Sequence, residues 1–237
     1  MSNPFQFKQF TVAQDRCAMK VGTDGVLLGA WTPIHHSPNS ILDIGAGTGL
    51  ISLMLAQRSS AELIDGVEIH PEAYEQCVEN FEASPWNDRL FCYHASLQEF
   101  VEEIEDAYDL IVSNPPFYSE NYASGNTARD LARQNQSLPL ETLLEAVASL
   151  LSKEGVFSII IPFKEENRIL MLAQEKHLFP FKITRVKGTI NSEIKRSLIA
   201  FSFQSHTLAK RELILETSRH QYTTEYITLT KDFYLKM

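Results

Sequence analysis

Cysteine is scarce in this sequence: Cys17, Cys77 and Cys92 are the only three in 237 residues. They are too few and too scattered for a disulfide framework, and no CxxC pair or His/Cys cluster stands at metal-ligand spacing. The expectation is three reduced thiols and no bound metal. No run approaches the roughly 20 apolar residues of a membrane span, so no membrane partner is expected. Residues 1–10 lack a long apolar stretch, which predicts no secretory signal and a cytoplasmic protein. Ten glycines and ten prolines leave little material for a linker, and no internal repeat is visible. The length suits one α/β domain, and nothing in the sequence requires a partner copy, so a monomer is expected.

Positive charge is also in short supply. The formal net charge is −9, an unusual balance for a chain that would approach nucleic acid. Its distribution is uneven. Residues 168–237 hold 12 Lys and Arg against 6 Asp and Glu, a net of +6, while residues 1–167 hold 9 against 24, a net of −15. This allows a basic face on the C-terminal third, with chance clustering of surface lysines as the plain alternative.

What the sequence does have is alternation. Segments 40–44, 63–69, 90–93, 108–112, 155–161, 182–187 and 197–203 read as strands, and 50–57, 71–81, 140–151 and 165–176 as helices, with Pro71 in a first turn. Such β-α alternation predicts an α/β fold with a doubly wound, mainly parallel sheet, whose ligands bind at the carboxyl ends of the strands. Three parts are expected: a covering segment 1–35, a core 36–205 and an extension 206–237 whose structure the pattern leaves open. Segment 129–139 is polar and reads as a loop beside the site.

Two motifs carry chemistry. Asp43-Ile44-Gly45-Ala46-Gly47-Thr48-Gly49 follows a strand and opens a helix. Its glycines let the backbone turn sharply and lie against a ligand, and the helix N-terminus offers free N–H groups. The spacing GxGxG under a leading aspartate favours S-adenosylmethionine over NAD, with Asp43 facing the cofactor's amino group. The alternative is a turn that only packs strand on helix. Glu68 ends the next strand, 25 positions after Asp43, where a carboxylate can grip both ribose hydroxyls. A surface glutamate is the alternative there.

The second motif, Asn114-Pro115-Pro116-Phe117, ends the strand at 108–112. An exocyclic base amine needs acceptors for its N–H protons, so that its lone pair is aimed at an activated methyl. The Asn114 amide oxygen and the Pro115 carbonyl are suited to that task. The two prolines fix the turn and remove competing donors, and Phe117 can stack on the base. A rigid proline turn alone would leave the flanking Asn and Phe unexplained. No cysteine stands beside Pro115, which argues against covalent attack on a pyrimidine ring. Upstream, Gly22-Thr23-Asp24-Gly25 precedes a small apolar helix and can cover the methionine end of the cofactor, or be only a turn. Ser96 follows the strand at 90–93, at the place where an acid often holds the cofactor's adenine.

Together these residues resemble the tRNA (adenine-N6) methyltransferases that modify the adenine 3′ of the anticodon in a valine tRNA. The likeness runs from Phe5 to about Phe203 and is most specific in Met19–Trp31, MKVGTDGVLLGAW, joined to DIGAGTG, HASLQEF and NPPF. It implies a seven-stranded Rossmann-like sheet with an N-terminal extension, S-adenosylmethionine as cofactor and folded tRNA as partner. The implied cofactor set is Thr23, Asp43, Gly45, Ala46, Gly47, Gly49, Glu68, Ser96 and Asn114. The implied catalytic set is Asn114, Pro115, Pro116 and Phe117. NPPF is shared with guanine-N2 rRNA methyltransferases, and a close variant with protein-glutamine methyltransferases, so both substrate classes stay open, as does a silent RNA-binding assembly factor.

Overall fold

The computed structural model describes residues 3–17, 19–116 and 138–237. The chain begins with β1 (Phe5–Gln6) and β2 (Thr11–Val12), an antiparallel pair, and with α1 (Thr23–Trp31). From Gly25 to Trp31 α1 is buried on every side, so it lies inside the molecule. Then come β3 (Ser40–Ile44), α2 (Leu50–Arg58), β4 (Leu63–Glu68), α3 (Pro71–Glu82), β5 (Leu90–His94), α4 (Leu97–Glu103) and β6 (Tyr108–Ser113). After residue 138 follow α5 (Leu140–Leu150), β7 (Leu151–Pro162), α6 (Glu166–Glu175), β8 (Phe179–Lys187) and β9 (Ile194–Ser202). The chain closes with β10 (Ala209–Ile214), the hairpin of β11 (Glu216–Ser218) and β12 (Gln221–Tyr222), and α7 (Thr224–Thr230).

The main sheet runs β10-β8-β9-β7-β6-β3-β4-β5. It has eight strands rather than the seven expected, because β10 adds to the edge in parallel with β8. The sequence of β10, AKRELI, alternates too weakly to announce a strand, and its partner in β8 is what recruits it. Only β9 runs against the others, pairing antiparallel with β7 and β8. β7 is also longer than expected at its start, since Leu151 leaves the helix and opens the strand. Pro180 is tolerated inside β8 because β10 pairs only from Lys182 onward, so the missing N–H faces an open edge.

Both faces of the sheet are covered. Ile41, Leu110 and Val112 pack with α1, α2 and α3, while Leu42, Ile44 and Ile111 pack with α4, α5 and α6. This is why the central strands read as unbroken apolar runs. Successive strands go outward from β3 to β4 and β5, and the chain then crosses to β6 on the other side of β3. That reversal leaves a crevice at the carboxyl ends of β3 and β6. Among the described residues no helix is long and apolar enough to cross a membrane.

Candidate active site

Strand register builds the site. Ile44 pairs with Val67 on one side and Ser113 on the other. The next residues, Gly45, Glu68 and Asn114, therefore stand at one level across three adjacent parallel strands. With inter-strand spacings of about 4.8 Å, Glu68 and Asn114 lie roughly 10 Å apart across the crevice. Asn114 and Pro116 are half-buried and Pro115 is buried. Beneath them the Ser113 hydroxyl donates to the Ile44 carbonyl at 2.9 Å and ties the proline turn to the glycine loop. Phe117, and residues 129–137 of the loop expected over 129–139, lie outside the described residues.

The glycine loop is held by β4. The Gly45 and Ala46 amides donate to the Val67 carbonyl, and the Gly47 amide donates to Glu68 Oε2 at 2.9 Å. The other carboxylate oxygen, Oε1, accepts from the His70 amide at 2.9 Å. Glu68 is thus buried and aimed, not a surface residue.

The three glycines divide by role. All have positive φ, 76°, 57° and 76° at Gly45, Gly47 and Gly49. A Cβ on Gly45 or Gly47 would meet nothing within 4 Å, so these two border open space. A Cβ on Gly49 would strike the Phe81 ring and sit 3.0 Å from Cys77 Sγ. Gly49 is therefore required by packing against α3, whatever its backbone offers to a ligand. Ala46 is likewise buried, its methyl close against Gly66 of β4, and leaves only its backbone to the loop.

Asp43 is fully buried. Its Oδ2 accepts from the Ser52 amide at 3.2 Å and the Ser52 hydroxyl at 2.8 Å, which caps the first turn of α2 from a distance. Its Oδ1 has no partner among the described residues. Burial pushes the Asp43 carboxyl up to about 7, with the Ser52 bonds opposing and the Glu68 charge adding.

Two further expected residues have other neighbours close to this edge: Ser96 follows the His94 that pairs with Glu68, and Thr23 stands two residues before Gly25, which packs on Leu50 just after the glycine loop. The Ser96 hydroxyl is used in a capping box at the start of α4, bonding the Glu99 carboxylate and accepting from the Glu99 amide. The spacing Ser96-x-x-Glu99 was itself a cap signal. Thr23, exposed at the first turn of α1, lines a different cavity, between the two termini.

Other side chains hold the site without any motif to mark them. Asn80 of α3 takes the Ala13 amide at 2.8 Å and donates to the Ala13 and Thr48 carbonyls, and Gln76 accepts from the Arg16 amide at 3.1 Å. They pin the strap 11–17 over the glycine loop. Their signal was two polar residues, four apart, within the buried stripe Ala73, Cys77 and Phe81. Ile69, next to Glu68, is an apolar side chain left 56% exposed beside the crevice.

Five of the basic side chains after residue 167 are taken up in ion pairs, while Lys195, Lys210 and Arg211 have none among the described residues. Arg168, Lys176, Arg185, Lys187 and Arg196 are in ion pairs with Glu141, Glu145, Glu166, Glu212 and Asp24. Lys182 lies over Trp31 on one side of the sheet, and burial brings its pKa down to about 8, while Arg185 meets Glu166 on the other. Alternation along the strands sends neighbouring cations to opposite faces.

Residues 25–161, which hold both motifs, match the methyltransferase small domain family. A relative in Flavobacterium psychrophilum, named tRNA1(Val) (adenine(37)-N6)-methyltransferase, is 65% identical, covering 98% of this chain and all of its own length. One of the same name in Bacteroides fragilis is 45% identical over the full length of both. This chain belongs to the tRNA1(Val) (adenine-N6)-methyltransferase family. Among solved structures, a predicted O-methyltransferase from Agrobacterium tumefaciens superposes with a TM-score of 0.69 at 19% identity, covering 89% of this chain and 96% of the other. A putative RNA methyltransferase from Pyrococcus horikoshii gives a TM-score of 0.52 at 18% identity, covering 75% and 79%. At such identities these two likenesses are of fold, and they place the family on a sheet used by other methyltransferases.

Proposed function

We propose that this protein transfers a methyl group from S-adenosylmethionine to N6 of an adenine in tRNA, at the base 3′ of the anticodon of a valine tRNA, as a cytoplasmic monomer. The observation that carries this is the common level of Gly45, Glu68 and Asn114 across β4, β3 and β6. This supports a reading in which the glycine loop, as cofactor cradle, and the proline turn, as holder of the amine, border one crevice. The family relatives supply the base and the tRNA.

The residues present fit the cofactor. Gly45 and Gly47 leave room where a side chain would intrude, and Glu68 presents an oriented carboxylate to a ribose. The exposed Ile69 offers apolar surface to an adenine ring. The unpartnered Asp43 Oδ1 is a buried acceptor beneath the loop, and its carboxylate charge favours a cationic ligand there. Bound here, S-adenosylmethionine supplies a methyl group activated by a positive sulfonium.

The chain's own part is orientation. The Asn114 amide oxygen and the Pro115 carbonyl accept the two N–H protons of the amine, which turns the nitrogen lone pair toward the cradle. The acceptors are set before substrate arrives, so no reorganisation is needed at the reacting moment. The surplus proton leaves to water after transfer. Phe117 is assigned the stacking of a base turned out of its helix.

The test is labelled methyl transfer to purified tRNA, rRNA and a release factor, followed by nucleoside mass spectrometry of the product. N6-methyladenosine in tRNA is expected. Label in guanine or glutamine, or none with cofactor bound, overturns the proposal.

A further inference from the structure

The N- and C-terminal segments meet in a cleft of about 740 Å³ that the catalytic site does not use. Its walls include Phe5, Gly22, Thr23, Tyr222, Tyr226 and Tyr234. A volume between roughly 300 and 1,000 Å³ is what a small organic group occupies.

Its position is informative. β8 runs against β9, and β9 against β7, so β8 and its partner β10 point the same way as β7, β6 and β3. Gly188 and Leu215, which immediately follow β8 and β10, line the cleft. The cleft therefore opens at the sheet edge that carries Gly45, Glu68 and Asn114.

The aromatic wall is held in place from both ends of the chain. The Lys8 amide donates to the Phe233 carbonyl at 2.8 Å, and Phe7 bridges Tyr234. Phe5 meets Tyr234 edge-on at 6.1 Å, and Tyr222 leans on Tyr226 at 5.2 Å. Tyr226 is 3% exposed and belongs to the core, but Tyr222 keeps 39% of its surface open. Lys236 is in the lining, Lys20 adjoins the lining residue Val21 in the chain, and Arg219 is in the turn that joins β11 to the β12 of Tyr222; none of the three has an acidic partner among the described residues. One acid, Glu216, shares the lining.

We propose that this cleft binds unpaired RNA bases next to the target nucleotide, stacking one of them on Tyr222 while Lys20, Arg219 and Lys236 meet the backbone phosphates. This rests on the proposed RNA substrate and adds a second contact to it. Single-stranded RNA is recognised in this way, by aromatic stacking within a cationic groove. An anticodon loop offers unpaired neighbours on both sides of its target base.

The test uses the full chain and an anticodon stem-loop RNA carrying 2-aminopurine beside the target adenine. The wild-type protein should quench the 2-aminopurine on binding. Tyr222→Ala should lose the quenching and raise KM for the RNA about 5- to 100-fold, with kcat and S-adenosylmethionine affinity unchanged. Tyr222→Phe should restore both, because the ring and not the hydroxyl stacks. Equal KM and equal quenching in wild type and Tyr222→Ala overturn the proposal while leaving methylation of tRNA intact. Absence of any methylation by the wild type is the separate failure of the functional reading. A dimer in light scattering that Tyr222→Ala dissociates would assign the cleft to a second copy and also overturn it.

Discussion

The Gly47 amide donates to the Glu68 carboxylate at 2.9 Å, so the loop proposed to cradle the cofactor and the acid proposed to grip it are one hydrogen-bonded unit. Glu68→Ala removes the acceptor of both the Gly47 and His70 amides. Cofactor affinity should fall by roughly 1.5–3 kcal/mol, the range for hydrogen bonds to a charged group. Stability should fall as well, by about 1–3 kcal/mol, because two amides lose their partner. Titration calorimetry with a parallel denaturant melt checks both. Unchanged cofactor affinity would remove Glu68 from the site.

Asn114→Ala should spare the fold and cofactor binding and lower kcat by about 10²–10³, the scale for losing one group aimed at a reacting atom. The anchoring bond below it runs from Ser113 to Ile44 and does not involve the amide. Single-turnover kinetics with saturating tRNA reads the effect. Wild-type turnover would show that the amine is held by other groups.

Asp43 should make the protein respond to pH in two opposite ways. Its carboxyl is raised from 3.8 to about 7 in the folded state. Between those values the folded protein holds a proton that the unfolded chain has released. The stability from this group is therefore full below about pH 4 and is lost as pH rises through about 7. A cationic cofactor prefers the ionised form, so its affinity should rise over the upper part of the same window. Asp43→Asn should flatten both trends. Denaturant melts and cofactor titrations from pH 5 to 8, run at constant ionic strength, measure them. An affinity slope that survives in Asp43→Asn would place its origin elsewhere.

Gly45→Ala and Gly49→Ala should separate binding from packing. Each meets the left-handed backbone penalty of about 1–2 kcal/mol. Gly49→Ala adds a collision with Phe81 and Cys77, worth a further 1–3 kcal/mol or so of overpacking. Gly45→Ala should instead place its methyl in the cradle and weaken the cofactor while melting closer to wild type. The opposite ranking in melts and calorimetry would reverse the two roles.

Much of this molecule was legible before its structure. The β-α alternation, the glycine loop after β3 and the proline turn after β6 all follow from local rules, since periodicity, permitted φ and the effect of proline act within a few residues. Local rules therefore settle the type of most elements and mark the two motifs proposed to carry the chemistry. Tertiary structure decided the rest, because it depends on which distant partner each group finds. Register set Gly45, Glu68 and Asn114 at one level. Pairing with β8 made β10 the eighth strand. Contact with Phe81 and Cys77 turned Gly49 into a packing residue, and Glu99 took the hydroxyl of Ser96 for a cap. Five of the twelve basic residues of the C-terminal third went into ion pairs, with partners as remote as Asp24 for Arg196. A count of charges carries no such information, because the energy of a charge depends on what lies within a few ångströms of it, and only the fold sets that distance.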